Sequence, residues 1–321
     1  MLLFPPETSA IIPDRNYIRL PQDAGLIYRK LDVTTSDGLR IETWFYPAQD
    51  FPGESSGRQD MLPYRTIDEE KRPTLVICNG DAGNMSYQQI DLAMIYAACG
   101  FNVVTFDWRG FGASSEFEMN RDYLCYTEML EDYRAVLDTV RGQKEVDGDC
   151  IFLMGWSTGA YLSMITAYND ENAAGCILSG VPSTFEEIIP ILVSNHPAGK
   201  TEAELIVPED FPKEQMPALI APEFGKAIMI IVGSKDDRTP QWMAEKIYEA
   251  LPEGTFKKLS IFENAGHGGT DAPYFVDTSR YVEETVTFMT EAQPADTVPR
   301  QAFSACRGTA MAGQPYAVYS L

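Results

Sequence analysis

A serine held between two glycines, two histidines in the whole chain and a pair of adjacent aspartates are the side chains whose types and spacing point to chemistry. Gly155-Trp156-Ser157-Thr158-Gly159 follows a short apolar run and precedes a helical pattern. A serine on a sharp strand-to-helix turn needs small neighbours, because its backbone is strained and the flanking elements approach closely. Such a turn presents the hydroxyl at a helix N-terminus, where the dipole and free N–H groups favour developing negative charge. Ser157 is therefore the expected nucleophile.

A serine hydroxyl is a weak nucleophile until a base removes its proton. Only His196 and His267 are present to do so. His267 lies in Glu263-Asn264-Ala265-Gly266-His267-Gly268, between a late strand and the last helix, and is the expected base. His196 falls in a proline-rich insert and is assigned a surface or lid role. The acid that orients the base should follow a strand between the two. Gly233-Ser234-Lys235-Asp236-Asp237 offers two candidates there, of which Asp236 is preferred over Asp237. The oxyanion formed on attack needs backbone donors. The amide of Thr158 is one, and Asn79-Gly80-Asp81-Ala82-Gly83-Asn84 should supply the other, from Asp81 or from its neighbour Ala82. A carboxylate aimed at that charge would oppose it, so the Asp81 side chain is expected to point away.

Alternating strands and helices position these residues. Residues 26–34 and 39–46 read as an antiparallel hairpin about the turn Thr35-Ser36-Asp37-Gly38. Continuously apolar runs at 73–78, 101–106, 150–154, 174–178 and 227–232, with another strand at 256–262, mark strands of a buried sheet. Helical stretches at 87–98, 119–142, 158–169, 240–251 and 274–291 separate them. That rhythm implies a mostly parallel sheet with helices on both faces. One domain is expected, with a core at 25–180 and 227–292. The polar stretch 48–71 reads as a surface excursion, and the tail 293–321 shows no clear period.

Residues 181–226 break the rhythm. They hold seven prolines and, with three lysines against eight acidic residues, a formal charge of −5. An insert at the carboxyl end of a strand is expected to serve as a lid. Phe185, Ile188, Ile189 and Leu192 within it suit an acyl pocket, and their spacing suits a packed helix equally.

A formal net charge of −22 opposes nucleic acid and anionic membrane surfaces as partners. No apolar run approaches the ~18 residues of a membrane span. The opening Met1-Leu2-Leu3-Phe4-Pro5-Pro6 lacks a leader's basic region, so the expected address is cytoplasmic. Six cysteines without CxxC spacing read as reduced buried thiols, and two histidines exclude most zinc sites. Neither metal nor cofactor is expected. Gly110-Phe111-Gly112 lacks the third glycine of a dinucleotide loop and reads as a structural turn, with Arg109 pairing to a carboxylate.

Residues 73–291 resemble the α/β-hydrolase superfamily. The resemblance rests on the 79–84 loop, Asp107-Trp108-Arg109-Gly110-Phe111-Gly112-Ala113-Ser114, the serine turn and the late Asp and His loops, in the order Ser157, Asp236, His267. The first two motifs are similar to a branch whose loop reads His-Gly-Asn-Ala-Gly-Asn, grouped with serine aminopeptidase-like and lysophospholipase-like hydrolases. Asn79 stands where that branch has histidine. The resemblance implies a serine hydrolase acting by acyl transfer on an ester or thioester of modest size. Three alternatives stay open: a peptidase anchoring an amine on Glu186 or Glu187, an acyltransferase, and a non-catalytic binding protein of the same fold.

Overall fold

The computed structural model describes residues 10–50, 70–120, 122–195 and 205–293. Its strands are β1 (Ile12–Pro13), β2 (Arg29–Thr34), β3 (Arg40–Tyr46), β4 (Arg72–Ile77), β5 (Ala82–Gly83), β6 (Asn102–Phe106), β7 (Val146–Trp156), β8 (Ala173–Ser179), β9 (Ala227–Gly233) and β10 (Lys257–Phe262). Eight of them form one sheet in the order β10-β9-β8-β7-β4-β6-β3-β2. The β2–β3 and β3–β6 pairs are antiparallel, and every other neighbour pair in that sheet is parallel.

The apolar runs are continuous because both faces of the sheet are covered. Leu75 and Ile77 of β4 pack with helices α1 (Gln89–Ala98) and α8 (Thr278–Glu291). Val76 between them faces the other way, toward α2 (Glu128–Arg141), α3 (Thr158–Asn169) and α6 (Gln241–Ala250). Parallel strands place their carboxyl ends along one edge of a sheet, which is where ligands gather in open α/β folds. The registers Trp156↔Ser179, Ser179↔Ile231 and Gly233↔Phe262 bring the exits of β7, β8, β9 and β10 abreast. The loops carrying Ser157, Asp236 and His267 therefore open side by side.

Several boundaries differ from the sequence expectation. Helix α2 starts at Glu128 rather than near 119, because 122–124 is tied to 206: the amides of Ile206 and Leu124 donate to the carbonyls of Asp122 and Ile206 at 2.7 and 2.9 Å. The closing helix is broken into α7 (Pro273–Val276) and α8 at Asp277, whose carboxylate accepts from the Arg280 amide at 3.0 Å as an N-cap. Strand β1 was not foreseen, and it pairs with β5 inside the 79–84 loop. The insert after β8 contains α4 (Phe185–Asn195) and α5 (Pro217–Ile220). Phe211, Met216, Ile220 and Phe224 from its later part are buried in the core shared with α3 and α6. The expectation of reduced thiols holds for the buried Cys78, Cys125, Cys150 and Cys176 but not for Cys99, which is disulfide-bonded. His196, most of the 48–71 excursion and the tail from 294 lie outside the described residues. Among those residues no helix is long and apolar enough to cross a membrane.

The 107–114 segment is a structural turn, as expected. Arg109 is fully buried, and its Nε and amide donate to the two carboxylate oxygens of Asp132 at 2.9 Å each while Nη1 reaches Asp37 at 2.7 Å. This fastens the turn to α2 and to the β2–β3 hairpin. Asp107 at its start fastens the N-terminal segment to the loop after β5, accepting from the Met85 amide at 2.7 Å and the Tyr17 hydroxyl at 2.8 Å. Burial pushes the Asp107 carboxyl up to about 7 against those hydrogen bonds.

A carboxyl held above its unfolded value keeps its proton longer in the native state than in the unfolded one. Its contribution is full below the unfolded value of ~3.9 and is lost as pH rises through the folded value. Urea unfolding at pH 5 and pH 8 should show wild-type stability falling more steeply than that of Asp107→Asn. Equal slopes in the two proteins would contradict this.

Candidate active site

Ser157 is the single residue between the end of β7 and the start of α3, with φ 54° and ψ −117°. A positive φ is unfavourable for a residue with a side chain, costing of order 1–3 kcal/mol. Close packing on either side imposes it. A Cβ on Gly155 would lie 2.1 Å from the Gly159 carbonyl oxygen, and one on Gly159 would lie 2.0 Å from that of Asn79. The Ser157 amide donates to the Ser179 carbonyl at 2.9 Å, which anchors the turn to β8.

The strained turn aims Ser157 Oγ at His267 Nε2, 3.1 Å away. His267 is buried, and its carbonyl accepts from the Trp156 indole at 2.8 Å, so the residue before the serine also holds the histidine loop. His267 Nδ1 lies 2.8 and 3.0 Å from the carboxylate oxygens of Asp236. Asp236 in turn accepts from the amides of Arg238 and Thr239 at 3.0 and 2.8 Å and from the Thr239 hydroxyl at 2.9 Å. Burial raises the Asp236 carboxyl, but the His267 and Thr239 hydrogen bonds outweigh it and hold the group below the usual carboxylate range. Asp237 is exposed and takes no part in this array, so the structure brings Asp236 to His267.

Ser157 and His267 open on a cavity of about 50 Å³. Asp81 and Thr158 line it, as do Phe185, Ile188 and Leu192 of α4. Ile189 does not. One residue beyond Ile188 on the helix, it turns away and packs against the core. Leu124, Tyr161 and Arg238 line the cavity too, and no local motif marked them. Thr239 carried a legible signal, because an aspartate commonly accepts the amides two and three residues ahead.

Asp81 lines the cavity. Burial raises its carboxyl, and the nearby charges of Arg238 and His267, together with its own backbone amide, partly offset that rise. Pairing of β1 with β5 holds the backbone of this loop, the Ile12 amide donating to the Asp81 carbonyl at 2.7 Å. Glu187 is engaged by Lys246 at 2.6 Å and by the Ser183 hydroxyl, and neither it nor Glu186 lines the cavity. Among the described residues no cluster of three or more His, Cys, Asp or Glu could hold a metal ion.

A model of the prolyl oligopeptidase family matches residues 85–291, a stretch containing Ser157, Asp236 and His267. An uncharacterized protein of Mycobacterium tuberculosis is 25% identical over 264 residues, covering 82% of this chain and 79% of its own. The uncharacterized protein YfhR of Escherichia coli is also 25% identical over 264 residues, covering 82% of this chain and 80% of its own. Among solved structures, a Pyrococcus furiosus esterase superposes with a TM-score of 0.66 at 15% identity, covering 87% of this chain and 98% of that one. A puromycin-hydrolyzing peptidase of Mycobacterium tuberculosis superposes with a TM-score of 0.63 at 14% identity, over 86% of this chain and 40% of that one. At such identities the likeness is one of fold, and the fold is that of the α/β hydrolases.

Gly180, at the exit of β8, has φ +58°, and a Cβ there would come within 3.1 Å of His267 Cε1 and 3.3 Å of Thr239 Oγ1. Gly180→Ala should cost about 1 kcal/mol in stability through backbone strain alone. It should also displace the imidazole and slow fluorophosphonate labelling at least tenfold. A thermal melt and a labelling time course check both, and an unchanged labelling rate would contradict the packing described.

Proposed function

The chain belongs to the prolyl oligopeptidase family, within the α/β-hydrolase superfamily, and on that premise we propose that it is a serine hydrolase working through Ser157, His267 and Asp236. The observation that carries this reading is the unbroken relay from Ser157 Oγ to His267 at 3.1 Å and from His267 to Asp236 at 2.8 Å, at the mouth of a largely apolar cavity. Ser157 Oγ attacks a carbonyl carbon while His267 Nε2 takes its proton. Asp236 stays ionised, facing the imidazolium, and fixes which ring nitrogen carries the proton at rest. The imidazolium then protonates the leaving group as the acyl-enzyme forms. Water repeats the sequence, releasing the acid and restoring Ser157.

The amides of Asp81 and Thr158 are the proposed donors to the oxyanion. Thr158 opens α3, so its N–H has no partner within the helix. Burial raises the Asp81 carboxyl, which favours its uncharged form beside these donors.

The substrate is a carboxylic ester or thioester with a short acyl chain. A space of about 50 Å³ walled by Leu124, Tyr161, Phe185, Ile188 and Leu192 holds only a few heavy atoms. In this reading the described residues form one domain, and α4 of the 181–226 insert caps the acyl pocket. The family favours a second reading, a peptidase with the same relay. The engagement of Glu187 leaves α4 without the amine anchor that reading requires, so esters are preferred.

A series of p-nitrophenyl esters from two to twelve carbons, with matched thioesters and aminoacyl anilides, tests the reading. The two- to four-carbon esters should be turned over fastest and the anilides least. Ser157→Ala and His267→Ala should each lose at least ~10³-fold in kcat. Wild-type turnover by Ser157→Ala, or a preference for anilides, would overturn the ester reading.

Asp81→Asn keeps the backbone amide and the shape of the side chain, so kcat for a neutral short ester should stay within roughly threefold of wild type, a difference under ~1 kcal/mol. A larger fall in kcat would show that the carboxylate assists turnover.

A further inference from the structure

Thr239 stands in contact with both partners of the relay without belonging to it. Its hydroxyl lies 2.9 Å from Asp236 Oδ2 and 3.1 Å from His267 Nδ1, and the residue is buried. Proton bookkeeping settles the direction of each contact. An ionised carboxylate can only accept, so the single hydroxyl proton of Thr239 goes to Asp236. Toward His267 the hydroxyl then presents only lone pairs. The Nδ1 proton of His267 is therefore shared between Asp236 and Thr239, and Nε2 is left bare toward Ser157.

We propose that Thr239 is a positioning residue of this site, whose hydroxyl is a second acceptor for the Nδ1 proton of His267 and orients the imidazole together with Asp236. The inference rests on the serine-hydrolase reading above and adds a fourth residue to it. Partners of this kind fix ring orientation and tautomer, and their loss disables a histidine without removing it. The same hydroxyl helps keep Asp236 ionised. Thr239 acts through other groups and touches no reacting atom. Its backbone amide, which also holds Asp236, survives any substitution except proline.

The test compares wild type, Thr239→Val, Thr239→Ser and Asp236→Ala with and without Thr239→Val. Valine keeps the shape and removes the hydroxyl, while serine keeps the hydroxyl. For a short p-nitrophenyl ester, Thr239→Val should lower kcat about tenfold with KM within twofold. The acid-side loss of activity should begin at higher pH, because Asp236 has lost a donor that holds it ionised. Thr239→Ser should restore both. Asp236→Ala should keep a residual activity that falls at least fivefold further when Thr239→Val is added. Unchanged kcat and pH profile in Thr239→Val would overturn the proposal. So would equal impairment of the serine and valine variants, which would assign Thr239 a packing role. A second readout separates this proposal from the hydrolase reading: the low-field imidazole N–H proton resonance, assigned by its loss in His267→Ala. It should exchange faster with water in Thr239→Val and recover in Thr239→Ser. If wild type turns over no ester, the hydrolase reading fails on its own, and the exchange rate still decides whether Thr239 holds the Nδ1 proton.

Discussion

Everything in the site depends on one constraint, the positive φ of Ser157. A serine does not take that conformation unless its surroundings leave no other, and here the surroundings are backbone. Helix α3 leaves β7 so abruptly that Gly155 and Gly159 nearly touch, and Gly159 lies against the Asn79 carbonyl of the neighbouring loop. Strand β8 then holds the serine amide in place. The unfavourable turn is sustained by a parallel sheet buried on both faces. In return it lifts one hydroxyl clear of the sheet edge and aims it at His267.

The charges around that hydroxyl are arranged unevenly. On the Asp236 side four hydrogen-bond donors converge on one carboxylate: the His267 ring, two amides and the Thr239 hydroxyl. Its charge is thereby held in place for the imidazolium. On the other side Asp81, Thr158 and Arg238 line the cavity, and burial raises the Asp81 carboxyl. The first arrangement is what an acyl-transfer relay requires.

How much was legible in the sequence follows from the range of the interactions. Ser157 and its strand–turn–helix setting are encoded within about ten residues, and scarcity of histidine singled out His267. The place after β9 offered both Asp236 and Asp237, and the packing that sets Asp236 against His267 and leaves Asp237 exposed separates them. The sheet was legible because its apolar runs are short, continuous and separated by helical patterns. The pairing of the 79–84 loop with β1 was not, because its partner Ile12 lies almost seventy positions away in the chain. The late start of α2 had the same kind of cause, a backbone pairing of 122–124 with 206. Ile189 illustrates a finer limit. Helical spacing identified an apolar face, and only the packed structure divided it between the cavity and the core. Cys99 was misread because its disulfide leaves no local pattern in the sequence.

The central claim is that the fold activates one particular serine. Its most direct test is to treat the intact protein with a fluorophosphonate, digest it and locate the adduct by peptide mass. The account predicts a single stoichiometric adduct on Ser157, strongly reduced in His267→Ala. An adduct on another residue, or a folded protein that takes up none, would contradict it.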